Sequence, residues 1–139
     1  MEKFVLVIDD DEKYLEYMKE ILVEAGFRVE TACTYEQAIE TINTRSAEIL
    51  GIVCDTVLND DSNGNTQYGF GILAHVFNTM PKLPFPFIAI SSENSMEWHW
   101  IENNFTEHEP DPKWQFVPKS ASPQDFVETF ISLLLLPDE

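Results

Sequence analysis

Residues 4–11 read Phe4-Val5-Leu6-Val7-Ile8-Asp9-Asp10-Asp11, an unbroken apolar run that ends abruptly in three carboxylates. A strand with one face in water alternates apolar and polar residues; a continuous run has the pattern of a strand covered on both faces, as in a parallel sheet. Parallel strands need long crossover connections, usually helical. The residues that follow supply one, because Tyr14, Met18, Ile21, Leu22 and Ala25 recur at helical spacing. Gly26 is well placed as the C′ residue that ends this helix.

Downstream the same unit repeats. Phe27–Ala32 reads as a second strand, and Thr34 with Gln37 forms a capping box ahead of a helix whose apolar face is Ala38, Ile39 and Ile42. Ile49–Cys54 reads as a third strand leading into Asp55, and the polar stretch Asn59–Gln67 then interrupts the pattern before a helix near Gly69–Thr79. Pro81, Pro84 and Pro86 end that helix and introduce a fourth strand, Phe87–Ile90, with a fifth at Trp114–Val117. Ser122 and Pro123 open the last helix as N-cap and N1, with Phe126, Val127, Phe130, Ile131 and Leu134 as its apolar face. Alternating strands and helices predict an α/β protein with a parallel sheet.

Composition limits the partners. The chain has 139 residues, 44% of them hydrophobic, which suits a single domain with a sizeable core. Asp and Glu number 25 against 8 Lys and Arg, a formal net charge of -17, so nucleic acid and anionic membrane surfaces would be repelled. The apolar runs Phe4–Ile8 and Leu133–Leu136 are too short for a signal-peptide core or a membrane span. Cys33 and Cys54 lack ligand-like spacing and read as free buried thiols, which fits a cytoplasmic location.

Ligands of open parallel sheets bind at the carboxyl ends of the strands. After the first strand come Asp9, Asp10 and Asp11; after the third, Asp55; after the fourth, Ser91 and Ser92; after the fifth, Lys119. Carboxylates gathered there repel, by roughly 4 kcal/mol for two charges about 4 Å apart at an effective dielectric near 20. A hard divalent cation such as Mg2+, which keeps several waters and uses one or two carboxylates, would offset that repulsion, and Lys119 supplies a fixed second charge. Such a site suits phosphoryl oxygens, and a carboxylate can itself be the nucleophile toward phosphorus. Asp11 and Glu12 are expected to serve the helix N-terminus instead.

The series Ile8-Asp9-Asp10, Cys54-Asp55, Ile90-Ser91-Ser92-Glu93 and Phe116-Val117-Pro118-Lys119 resembles the receiver domain of two-component response regulators over nearly the whole chain. The resemblance implies a flavodoxin-like, doubly wound five-stranded parallel sheet of order 2-1-3-4-5 with helices on both faces. It implies that Asp55 accepts a phosphoryl group from a histidine kinase or phosphotransfer protein. Asp9, Asp10 and Asp55, with the Val57 carbonyl, would hold Mg2+, while Ser91, Lys119 and Phe116 would act as the switch residues.

The departures from the family pattern are informative. Leu58-Asn59 stands where the family has Met-Pro, Gly69 comes several residues late, and Ser120 replaces the usual Pro after the Lys. Extended loops are expected at about 59–68 and 93–113. Asn59, Asp61, Asn63 and Gly64 imitate the start of a calcium loop, but its twelfth position is Phe70 rather than Glu. No Lys or Arg occurs between Leu83 and Pro112, where Trp98 and Trp100 flank His99; these aromatics read as core or as an anchor for a protein partner. Two rival functions remain, a receiver-like interaction module indifferent to phosphorylation and a haloacid-dehalogenase-type phosphatase built on Asp9-Asp10-Asp11.

Overall fold

In the computed structural model, which describes residues 2–55, 57–60, 65–79, 85–91 and 113–136, strand β1 (Phe4–Ile8) is buried throughout. Helix α1 (Glu12–Glu24), strand β2 (Arg28–Ala32), helix α2 (Tyr35–Arg45) and strand β3 (Ile49–Asp55) follow. Then come β4 (Val57–Asp60), β5 (Asn65–Tyr68), α3 (Gly69–Thr79), β6 (Phe87–Ser91), β7 (Trp114–Pro118) and α4 (Pro123–Leu134). Five strands form one sheet in the order β2-β1-β3-β6-β7, every pairing parallel. Counting only these five, the order is the expected 2-1-3-4-5.

The pleat sends alternate side chains to opposite faces, and the core divides accordingly. Phe4, Leu6 and Ile8 join Ala38 and Ile42 of α2 and Ile72 and Val76 of α3 in one cluster. Val5 and Val7 join Leu15, Met18 and Leu22 of α1 and Phe126, Phe130 and Leu133 of α4 in the other. Among the described residues, α2 and α3 therefore cover one face of the sheet and α1 and α4 the other. Its central strands could not have been amphipathic.

Local sequence sets the helix ends. The Asp11 carboxylate accepts from the N–H groups of Lys13 at 3.0 Å and Tyr14 at 3.4 Å, which makes it the N-cap of α1. Gly26 follows that helix at φ 99°, a left-handed conformation that a side chain would disfavour. Thr34 accepts from the Gln37 N–H at 3.1 Å, while the Gln37 side chain accepts from the N–H of Cys33, one residue before the cap. Ser122 caps α4 through the Asp125 N–H at 3.1 Å. At the sheet's β2 edge, Arg45 pairs with Glu30 and Glu48 and lies 4.6 Å above the Phe4 ring.

Several expectations need adjustment. Part of the loop expected at 59–68 is an antiparallel ribbon, in which Val57 pairs with Tyr68 and Asp60 with Asn65. Leu15 rather than Ile21 completes the buried stripe of α1, and Leu133 rather than Ile131 that of α4, where Ile131 is exposed. Cys54 is buried as expected, but Cys33 is only partly so. Trp98, Trp100 and nearly all of the 93–113 segment lie outside the described residues, as does Ser92.

Candidate acidic site at the sheet edge

Register brings the carboxylates together. Ile8 pairs with Cys54, so Asp9, the first residue past β1, and Asp55, the last of β3, lie side by side at the edge of neighbouring parallel strands. Asp10 follows one residue later. Ser91 pairs with Pro118, so Lys119 emerges from β7 at the same carboxyl edge. Ligand oxygens of Asp9, Asp10 and Asp55 all lie within 4.8 Å of one another. The Lys119 ammonium reaches across them, 2.8 Å from Asp9 Oδ2 and 3.3 Å from Asp55 Oδ2.

The two paired acids differ in access. Asp9 has no side-chain exposure, whereas the Asp55 side chain retains 12%. Asp9 Oδ1 accepts from the Asp11 N–H at 2.9 Å, and the backbone N–H of Asp9 donates to Ala32 at 3.1 Å. Asp9 Oδ2 is buried against the Lys119 ammonium, a charge pair at 2.8 Å. Three carboxylates gathered beside one ammonium fit a hard divalent cation in addition to it, because oxygen donors of this kind are the ligands such an ion takes.

Burial pushes the Asp9 pKa up, against the opposing pull of the Lys119 ammonium and the Asp11 N–H. Burial alone would lower the pKa of Lys119, but the contact with Asp9 and the charges of Asp55 and Asp9 outweigh it and hold the ammonium charged. Tyr14 lies against the same group, with Lys119 Nζ 4.4 Å from its ring centroid. Its phenol is driven upward by burial and then by the charge of Asp9, so it stays protonated. Burial, reinforced by Asp55 and Asp9, likewise raises the Cys54 thiol and leaves it unreactive.

The structure thus brings Asp9, Asp10, Asp55 and Lys119 into one group. Asp55 is the last residue of β3 rather than a residue beyond it, and Asp11 serves the helix cap as expected. Val57 begins β4 two residues past Asp55, and Ser91 is the last residue of β6. Phe116 pairs with Ala89 and is partly buried in β7. Helical spacing places Tyr14 on the apolar face of α1 and says nothing of Lys119. What could have pointed to its place is its position in the first turn after the acidic run.

No family model matches the chain, and no curated protein sequence matches it either. Solved structures do match. A CheY-like response regulator receiver domain protein from Methanospirillum hungatei JF-1 superposes with a TM-score of 0.76 at 23% identity, over 96% of this chain and 94% of that one. A response regulator receiver domain protein from Clostridium thermocellum gives 0.76 at 17% identity, covering 95% and 94%. The chemotaxis protein CheY4 of Vibrio cholerae gives 0.71 at 19% identity, covering 96% and 99%. The chain has the fold of response-regulator receiver domains, a flavodoxin-like parallel sheet with helices on both faces.

Proposed function

We propose that this chain is the phosphoacceptor receiver of a two-component phosphorelay, with Asp55 as the acceptor. The observation that carries the reading is the Lys119 ammonium held between Asp9 and Asp55 beside a third carboxylate, at the sheet edge where parallel folds bind ligands. Asp55 suits the nucleophile because its side chain keeps solvent access while that of Asp9 has none. That difference also disfavours the phosphatase reading, which needs the first strand's carboxylate to attack.

In the proposed reaction an Asp55 carboxylate oxygen forms a bond to phosphorus. The P–N bond of a phosphohistidine on a histidine kinase or phosphotransfer protein breaks, and the imidazole keeps the electron pair and takes up a proton. The product is an aspartyl phosphate. Lys119 would pair with the charge developing on the phosphoryl oxygens, and Asp9 would hold the ammonium in place from the far side. Asp9, Asp10 and Asp55, with the Val57 carbonyl, are the residues that would hold Mg2+. Three hard carboxylate donors within 4.8 Å of one another suit that ion, which when bound neutralises carboxylate repulsion and phosphoryl charge. Ser91 and Phe116 would relay the modified state to a protein partner by shifting a pre-existing equilibrium.

The test is intact-mass measurement after incubation with acetyl phosphate and Mg2+. One phosphoryl adduct, lost in Asp55→Asn, is the expected result. Absence of an adduct both with acetyl phosphate and with a panel of phosphorylated histidine kinases would overturn the reading in favour of a module that only binds partners.

A further inference from the structure

We infer that Tyr14 is a positioning residue of this site, its ring face fixing the Lys119 ammonium between Asp9 and Asp55; the catalytic consequence rests on the phosphoacceptor reading, and the contact itself does not. A lysine carries its charge on a flexible four-carbon stem and takes one geometry only where its surroundings impose it. Here two carboxylates lie at 2.8 and 3.3 Å, and the Tyr14 ring closes in with its centroid 4.4 Å from Nζ. The negative face of an aromatic ring attracts a cation within about 6 Å of its centroid.

The ring is itself held. Asp11 accepts from the Tyr14 N–H at 3.4 Å, which anchors the first turn of α1, and the Tyr17 ring packs against Tyr14 with centroids 5.7 Å apart. An aromatic wall differs from a third carboxylate in a way that matters here. It draws the charge without supplying a carboxylate lone pair, so an ammonium that faces Asp9 and Asp55 keeps its third N–H for an oxygen of the incoming phosphoryl group. The ring also replaces water beside the ammonium, which strengthens its pull on that oxygen. The attraction comes from the ring, so the hydroxyl is dispensable.

The decisive measurement is proton NMR of Lys119, compared between wild type, Tyr14→Phe and Tyr14→Leu. The Lys119 ε protons are expected upfield, shifted by the ring, in wild type and Tyr14→Phe, and at ordinary lysine positions in Tyr14→Leu. The second measurement is the rate of phosphoryl acceptance from acetyl phosphate with Mg2+. Tyr14→Leu should slow it by about 3- to 30-fold, the factor that a partly desolvated cation–π contact supplies, and Tyr14→Phe should rescue it. In a Lys119→Ala background the Tyr14→Leu change should have no further effect on the residual rate. Where Tyr14→Leu fails to fold, Tyr14→Met provides the same comparison. Unshifted ε protons in wild type would overturn the inference, as would an equal loss in both backgrounds. A protein that accepts no phosphoryl group yet shows the shifted protons would sink the phosphoacceptor reading and leave the contact standing.

Discussion

Lys119 and Asp9 meet at 2.8 Å, Nζ to Oδ2, with the Asp9 side chain fully buried and that of Lys119 only 18% exposed. Removing one partner of such a pair leaves a charge stranded in a poor solvent. Lys119→Met is therefore expected to destabilise the protein by about 2–4 kcal/mol, slightly below the fully buried case because Lys119 keeps some solvent contact. Adding Asp9→Asn should return most of that loss. Urea unfolding of the two single variants and the double variant measures it, and additive effects would show that the pair is not coupled.

The pH dependence follows from the direction of the Asp9 shift. Its folded pKa is raised above the ordinary value of 3.8, so the folded state binds the proton more tightly than the unfolded one. The stability that this group contributes is fully present below 3.8 and is lost as pH rises through the folded pKa. Without divalent cations, wild type should lose stability relative to Asp9→Asn across that interval. Saturating Mg2+ should remove the difference, because a ligand that binds only the folded state stabilises it. Thermal melts over a pH series with and without Mg2+ check both statements.

Asp11 belongs to the same acidic run but has a different task. Its carboxylate caps α1. Asp11→Ala should lower stability by about 0.5–2 kcal/mol, the usual range for losing an N-cap, and leave Mg2+ affinity unchanged. Asp10→Asn should do the reverse, weakening Mg2+ binding at little cost in stability. Calorimetric titration beside chemical unfolding separates the two roles.

Gly51 is required by a close approach. A Cβ at this position in β3 would lie 2.6 Å from Cε1 and 2.8 Å from Cζ of Phe130, and 3.3 Å from the carbonyl of Pro86. Phe130 is fully buried, so its ring has little space to yield. Gly51→Ala is expected to cost about 1–3 kcal/mol through overpacking, and Phe130→Leu in the same chain should recover part of it. A double-mutant cycle in urea gives the coupling.

The sheet was largely legible because its signal is local. Phe4–Ile8, Ile49–Cys54 and Phe87–Ile90 are apolar without interruption, and their shortness and flanking breaks favour covered strands over helices. Asp9, Asp10, Asp55 and Lys119 could be gathered because the end of a parallel strand defines one edge of the sheet. The β4–β5 ribbon was missed because Asn59, Asp60, Asn65 and Gln67 have poor strand propensity, and its pairing is imposed by register rather than by composition. The place of Tyr14 against Lys119 was hidden for another reason. Helical periodicity reports that a residue faces inward, but not which distant group it meets. Lys113 is buried, and no local pattern announces that either.

The ribbon also bears on how a longer excursion can sit beside a site that needs fixed distances. For a flexible tether, each doubling of contour length adds only about 0.6 kcal/mol of closure entropy, but it also lets the ends wander. Pairing Val57 with Tyr68 brings the two ends of that excursion together at a single rung. The end-to-end span from Asp55 to the start of α3 is then governed by that rung and not by the number of residues beyond it. In polymer terms, the detour is short-circuited at its base.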